Sequence, residues 1–242
     1  MNSYRNNARI TGILFIIAIV APMVSFPFSQ YINDPDYLIT VSENSSMVIV
    51  GGLLEMIMAF AVIGIAICMY PVLRKYNESL ALGAVSFRVI EGILGMFAVI
   101  SMLSLITLGQ EYLAAGTPND SLFVPLGTLV LDFRHWAGIL GPIAFILAAL
   151  MYYYIFFKST LVPRWLSVWG LIGVPLWLTG ELLILFGVTD SFSTMVVVLD
   201  LPIALNELAL AVWLIAKGFN PSAIESLSSY SHVKMNDNWI IP

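Results

Sequence analysis

Residues 80–108, LALGAVSFRVIEGILGMFAVISMLSLITL, form an apolar run that carries Arg88 and Glu91 near its middle. A hydrocarbon core of roughly 30 Å is crossed by about 20 helical residues, so this run is long enough to span a bilayer. Five further runs have the same character: Ile10–Phe28, Met47–Tyr70, Trp136–Phe157, Trp165–Phe186 and Thr194–Ile215. None alternates apolar and polar residues as a membrane strand would, and the content of Leu, Ile, Ala and Met suits helices.

Composition agrees with the spans. Of 242 residues, 60% are hydrophobic and only 10% charged, whereas soluble domains carry about a quarter charged residues. The expected fold is all-α: a polytopic membrane protein, a bundle of six transmembrane helices with short loops, in one integral membrane domain over residues 1–242. A tail over 217–242 follows the last span. Cys68 is the only cysteine, which excludes an intrachain disulfide and a cysteine-based metal or thiol-redox site.

Orientation follows Lys and Arg in the loops rather than net charge. Arg5, Arg9, Arg74, Lys75, Lys158, Arg164, Lys217 and Lys234 all fall before span one, after span six or in the even-numbered connections. The other connections carry Asp34, Asp36, Glu43, Glu111, Asp120 and Asp190 instead. Both termini are therefore expected to be cytoplasmic, in a bacterial cell membrane. The first run reads as a retained helix rather than a signal peptide, since it is longer than a usual h-region and lacks a clear small-x-small site beside Pro22. Tyr70, Tyr76, Tyr152 to Tyr154, Trp165 and Trp169 are expected at the cytoplasmic boundary.

The segment 121–135 is ambiguous. Pro125 and Gly127 interrupt a stretch too apolar for a loop, so either span four begins near Ser121 with Pro125 in its first turn, or a short interfacial segment precedes it. Pro142, Pro175 and Pro202 fall inside spans four, five and six. Prolines at membrane depth free backbone carbonyls, which line binding sites in some transporters and merely bend helices elsewhere.

Nine ionisable side chains lie within or beside the spans: Glu55, Arg88, Glu91, Asp132, Arg134, His135, Glu181, Asp200 and Glu207. Each mid-membrane charge costs about 2.5–3.5 kcal/mol, so the eight formal charges facing lipid would cost roughly 20–30 kcal/mol. They must face one another, water or the boundary. Arg88 and Glu91 share a helix face with Gly92 and Gly95, which points that face into the bundle. It reads either as a structural salt bridge or as an anion-binding arginine held by its carboxylate.

Glu207 and Asp200 lie two turns apart on one face, and Glu207 is a candidate partner of Arg88 or Arg134 or a protonated acid. Glu181 and Glu55 fall toward the outer ends of their spans, as cavity residues or boundary residues. Asp132, Arg134 and His135 form the densest group, at the expected outer boundary. His135 suits a structural hydrogen bond, a proton relay with Asp132, or a share in a metal site with Glu55, Glu181 or Asp200. Six carboxylates against two arginines and one histidine leave acid in excess, which favours a cation or proton over a second anion.

No Gly-x-Ser-x-Gly, Walker-type, His-Glu-x-x-His, Cys-x-x-Cys or dinucleotide motif occurs. One histidine within the spans excludes tris-histidine and bis-histidine sites, so no cofactor and no catalytic residue is expected. The basic residues are scattered, which argues against nucleic acid as a partner. The expected partners are the lipid bilayer and a small-molecule, lipid or cation ligand in an outward-facing polar cavity lined by Glu55, Glu91, Asp132, Glu181 and Glu207, with Arg88 and Arg134 orienting the ligand. The alternatives are a non-catalytic regulator or accessory subunit, and an intramembrane enzyme using Asp132 and His135.

Several stretches carry a resemblance: YPVLRKYNESLALG at 70–83 with FRVIEG at 87–92, FRHWAG at 133–138 with LVPRWL at 161–166, and NELAL at 206–210 with WLIAKGFN at 213–220. Together they resemble the domain-of-unknown-function 4386 family of bacterial multi-pass membrane proteins. That resemblance implies an inner-membrane location and no catalytic residues.

Overall fold

The computed structural model describes residues 2–115 and 120–237, with side chains over 4–115 and 122–229. Among these residues the chain is helical and free of strands: α1 (Asn2–Ser29), α2 (Tyr37–Glu43), α3 (Ser45–Leu73), α4 (Glu78–Ala114), α5 (Asp120–Ser159), α6 (Arg164–Leu185), α7 (Thr194–Ala216) and α8 (Pro221–Asp237). A 3-10 turn, Gln30–Asn33, joins α1 to the loop before α2. Six of the helices are long and apolar enough to cross a membrane: α1, α3, α4, α5, α6 and α7. The protein is a multi-pass membrane protein.

Local chemistry sets the ends. The Asn77 side chain caps α4 by accepting from the Leu80 N–H, and Ser193 caps α7 by accepting from Val196. Gly187 (φ +65°) and Gly218 (φ +76°) supply the left-handed residues after α6 and α7. Hydroxyls on spanning helices bond back to their own carbonyls: Ser101 to Phe97, Ser104 to Ile100 and Thr179 to Pro175. That satisfies each hydroxyl without a partner helix.

The six long helices pack in a ring that follows the chain: α1 on α3, α3 on α4, α4 on α5, α5 on α6, α6 on α7, and α7 back on α1. Small residues set the closest approaches. A Cβ at Gly12 would stand 2.6 Å from the Ala211 carbonyl oxygen at the α1–α7 seam, and one at Gly92 would stand 2.9 Å from the Ala59 carbonyl oxygen between α4 and α3. The main core gathers Phe15, Ile65, Met69, Phe145, Ile146, Tyr152, Tyr153, Phe156 and Leu214. A second core, with Ile32, Val41, Val48, Met102 and Leu105, lies where α2 caps the opposite end. Ile13, Phe97, Ile100, Phe133 and Val198 point outward, as lipid-facing residues do.

The start of α1 and the helix α8 lie at one end, hereafter the terminal end. Lys75, from the α3–α4 turn, sits 5.2 Å from the Tyr4 ring and donates to Ser228 of α8 at 2.6 Å. The far end holds the turn at 30–33 and α2.

Several sequence expectations need adjustment. Of the two readings of 121–135 the continuous helix is the one found: α5 begins at Asp120, ahead of the Trp136 taken as the start of the apolar run, with Pro125 near its start. The first outer loop contains α2, and the tail folds as α8, whose Ala223 and Ile224 join the main core. Residues 238–242 of that tail, and the side chains of His232 and Lys234, lie outside the described residues. Tyr152 and Tyr153 are not boundary aromatics: both are wholly buried inside the ring, and only Tyr154 of that trio is exposed. Position within α5 decided this, because residues 152 and 153 sit on its ring-facing side.

Candidate functional site

Two charge clusters lie inside the ring, one above the other. The deeper is centred on Arg88 of α4, whose side chain is 3% exposed. Its Nη1 donates to both oxygens of Glu91, at 2.8 and 3.1 Å, and its Nη2 lies 3.8 Å from Glu207 Oε1 of α7. Tyr152 of α5 donates its hydroxyl to the same Glu207 oxygen at 3.3 Å. The guanidinium carbon stands 4.7 Å from the centre of the Phe145 ring and 5.7 Å from that of Phe15. Carboxylates therefore share the cation with aromatic faces, which stabilises it out of water.

The upper cluster is Arg134 of α5 with Glu55 of α3. The pair is bidentate, Nη2 to Oε1 at 2.7 Å and Nη1 to Oε2 at 2.9 Å. Arg134 Nη1 also donates to the Ala98 carbonyl of α4 at 3.0 Å, and Ser25 of α1 donates to Glu55 Oε1 at 3.2 Å. One ion pair thus ties four helices.

Between the clusters and the far end lies a cavity of about 490 Å3, walled by five of the six ring helices. Glu55, Arg134 and Glu91 are its charged lining residues. Phe26, Met58, Pro142, Trp177 and Phe192 give it apolar walls, while Gly95, Gly138 and Gly141 keep it open. Nothing lies within 4 Å of where a Gly138 Cβ would stand. Pro142 has no N–H to offer the Gly138 carbonyl one turn away, and both residues line this space. Phe26 and Phe192 meet edge to face at 6.0 Å in its wall.

The remaining candidates are placed as follows. Glu181 is buried but reaches the cavity only through Trp177, whose indole N–H donates to it at 2.8 Å. Asp200 lies across from Gly180 of α6, 3.1 Å from where a Cβ would stand, and one of its oxygens has no hydrogen-bond partner. Asp200 and Glu207 share a face, yet seven residues of helix separate them by about 10 Å of rise, so they serve different neighbours. Asp132 and His135 are exposed and, with Arg134, line a shallow adjoining depression at the far end. His135 packs against Trp136 with ring centres 5.3 Å apart.

The cavity expected to be lined by Glu55, Glu91, Asp132, Glu181 and Glu207 is thus lined by the first two and Arg134. Asp132 stands outside it, Glu181 behind Trp177, and Glu207 below its floor. Among the described residues, no three His, Cys, Asp or Glu side chains converge as metal ligands. The buried roles of Tyr152 and Trp177 escaped the sequence reading. Only the placement of Trp177 one turn from Glu181 hinted at the second.

The sequence matches the family described as "domain of unknown function (DUF4386)" over residues 10–218. The chain belongs to the DUF4386 family. The match takes in α1 from Ile10 and the other five ring helices whole, ends at Gly218, before α8, and bears out the resemblance seen in the motifs around Arg88, Arg134 and Glu207. Neither curated proteins nor solved structures give a match to the chain.

Proposed function

We propose that this DUF4386 protein binds a small ligand with an apolar body and a cationic group in the cavity lined by Glu55, Arg134 and Glu91, and that the cavity faces away from the cytoplasm. One observation carries the reading: a space of about 490 Å3, within the roughly 300–1,000 Å3 of small-molecule pockets, is floored and walled by carboxylates. Among its charged lining residues two acids, Glu55 and Glu91, stand against one base, Arg134. Trp177 and Phe192 in the wall suit an organic cation, which aromatic faces attract. The bilayer supplies the surrounding solvent.

Orientation rests on charge. Arg5, Lys75 and Lys217 all sit at the terminal end, and positive residues mark the cytoplasmic side of bacterial membranes. A Gly138→Cys variant in a Cys68→Ser background reports it. A membrane-impermeant maleimide added to intact cells is expected to label the new thiol, and labelling only after cell rupture would reverse the orientation.

For the ligand class, tetrabutylammonium serves as a probe with purified protein, read by intrinsic tryptophan fluorescence. The expectation is saturable binding that Glu91→Gln weakens about tenfold, or 1.4 kcal/mol. Absence of saturable binding by the wild type would remove the reading.

A second reading has its own support. Each of Glu55, Glu91 and Glu207 already has an arginine within 4.0 Å, as expected of charges that pin helices in a non-catalytic regulator or accessory subunit. Its signature is loss of stability on removing any one charge, no ligand, and a co-purifying membrane protein.

A further inference from the structure

Polar atoms continue below the Arg88 cluster, toward the terminal end, where an apolar seal is the usual arrangement. The Tyr152 ring, whose hydroxyl reaches Glu207, lies 4.5 Å from that of Tyr153. The hydroxyls of Tyr153 and Ser167 and the amide oxygen of Asn206 belong to residues with no exposed surface. The Tyr153 hydroxyl faces that of Tyr152, and neither the Ser167 hydroxyl nor the Asn206 amide oxygen has a hydrogen-bond partner among the described residues. Asn206 donates its amide N–H to the Leu166 carbonyl at 2.9 Å, which brings its side chain against α6 next to Ser167. Gly170, with no side chain, lets the Tyr153 ring lie against the same helix.

Two turns beyond Asn206 on α7, the indole N–H of Trp213 is also buried without a partner. Trp213 lines a depression of about 380 Å3 at the terminal end, together with Leu161 and Asn220. At the other extreme, Glu91 lines the large cavity. Polar groups on α4, α5, α6 and α7 therefore lie in succession between a cavity at one end of the bundle and a depression at the other. Buried polar atoms are nearly always satisfied, and water is the usual partner where protein supplies none.

We infer that this column is a proton path, running from the cavity over the Glu91 and Glu207 carboxylates to the hydroxyls of Tyr152, Tyr153 and Ser167, with the N–H groups of Arg88, Asn206 and Trp213 as fixed donors that orient it. Carboxylates and hydroxyls both accept and donate a proton, and packed among buried aromatics they suit transfer along hydrogen bonds rather than passage of a hydrated ion. A proton arrives on water in the cavity, rests on the Glu207 carboxylate and leaves to water at the terminal end. Only O–H bonds form and break, and one positive charge crosses per proton. The groups facing Glu207 are Arg88 and Glu91 from α4 and the two tyrosines from α5; α1 presents the uncharged Phe15 to the cluster. The path uses the cavity described above as its entrance and does not depend on the cavity holding an organic cation.

The test is full-length protein in vesicles of phosphatidylcholine and phosphatidylglycerol, loaded with potassium and a pH-sensitive dye, with valinomycin setting an inside-negative potential. Wild type is expected to acidify the interior several times faster than protein-free vesicles do. Glu207→Gln is expected to fall to the protein-free rate, and Glu111→Gln, an exposed change at the far end of α4, to match wild type. Tyr152→Phe removes one hydroxyl without altering the packing. It is expected to slow acidification too, and it keeps the test open if Glu207→Gln does not elute as a monodisperse protein. Wild-type flux equal to that of protein-free vesicles, or wild-type rates in both variants, would overturn the path. Loss of tetrabutylammonium binding with acidification intact would remove only the ligand proposal, and the converse only the path.

Discussion

At the scale of single residues, the three carboxylates are unequal partners of the two arginines. Arg88 serves Glu91 directly and Glu207 at longer range. Removing the arginine strands both acids, whereas removing Glu207 leaves the Arg88–Glu91 pair intact. Breaking a buried pair from one side costs about 3–5 kcal/mol, so Arg88→Leu should lower thermal stability in detergent most, and Glu207→Gln least. Equal losses would mean that the cluster is not organised around Arg88. Arg134, paired with Glu55, is more exposed than Arg88, at 20% of its side chain against 3%. A double-mutant cycle on that pair should return a coupling of about 1–3 kcal/mol, measured by unfolding midpoints.

The residue scale also shows where sequence reasoning stops. Arg88 and Glu91 were legible as a pair because three residues of helix fix their separation. Glu55 and Arg134 are 79 residues apart, and nothing in an apolar run says which of six carboxylates will meet an arginine on another helix. Tyr152 and Tyr153 stood near a basic turn and so resembled boundary aromatics; the ring's interior claimed them instead.

At the scale of elements, the six spans were readable because their length and hydropathy answer to the bilayer alone. The start of α5 was not, since Pro125 and Gly127 fit either a helix or an interfacial break. Packing between elements is set by a few small residues. Gly12 at the α1–α7 seam has no room for a side chain, while Gly138 faces open space. Overpacking typically costs about 1–3 kcal/mol, so Gly12→Ala should destabilise by that amount and Gly138→Ala should be neutral. The unfolding midpoints of the two variants decide it. In α8 the division is along the helix: Ala223 and Ile224 join the main core, and Ser228 meets Lys75. Truncation after Asn220 should therefore lower stability, while truncation after Ser229 should leave it unchanged.

At the scale of the whole molecule, the ring holds its charges inside and offers lipid an apolar exterior. The arrangement of cavity above and polar column below gives the two proposals separate readouts, one of binding and one of flux. It also separates them from a purely structural role. If the ion pairs served only to hold helices together, charge-neutral replacement of both members of the Glu55–Arg134 pair by apolar residues would preserve stability with tetrabutylammonium binding and proton flux both absent in the wild type.

The contact between α1 and α7 has one more consequence, which concerns synthesis. Every other neighbour in the ring follows its partner along the chain, but the partner of α1 across the Gly12 seam is the last of these six to be made. Until α7 has entered the bilayer, the Gly12 face of α1 stands open to lipid, and Arg88 and Glu91 wait beside it without Glu207. Closure is thus a late event of biogenesis, and a chain arrested after α6 should present an unsealed, polar-hearted horseshoe to whatever insertase or protease patrols the membrane.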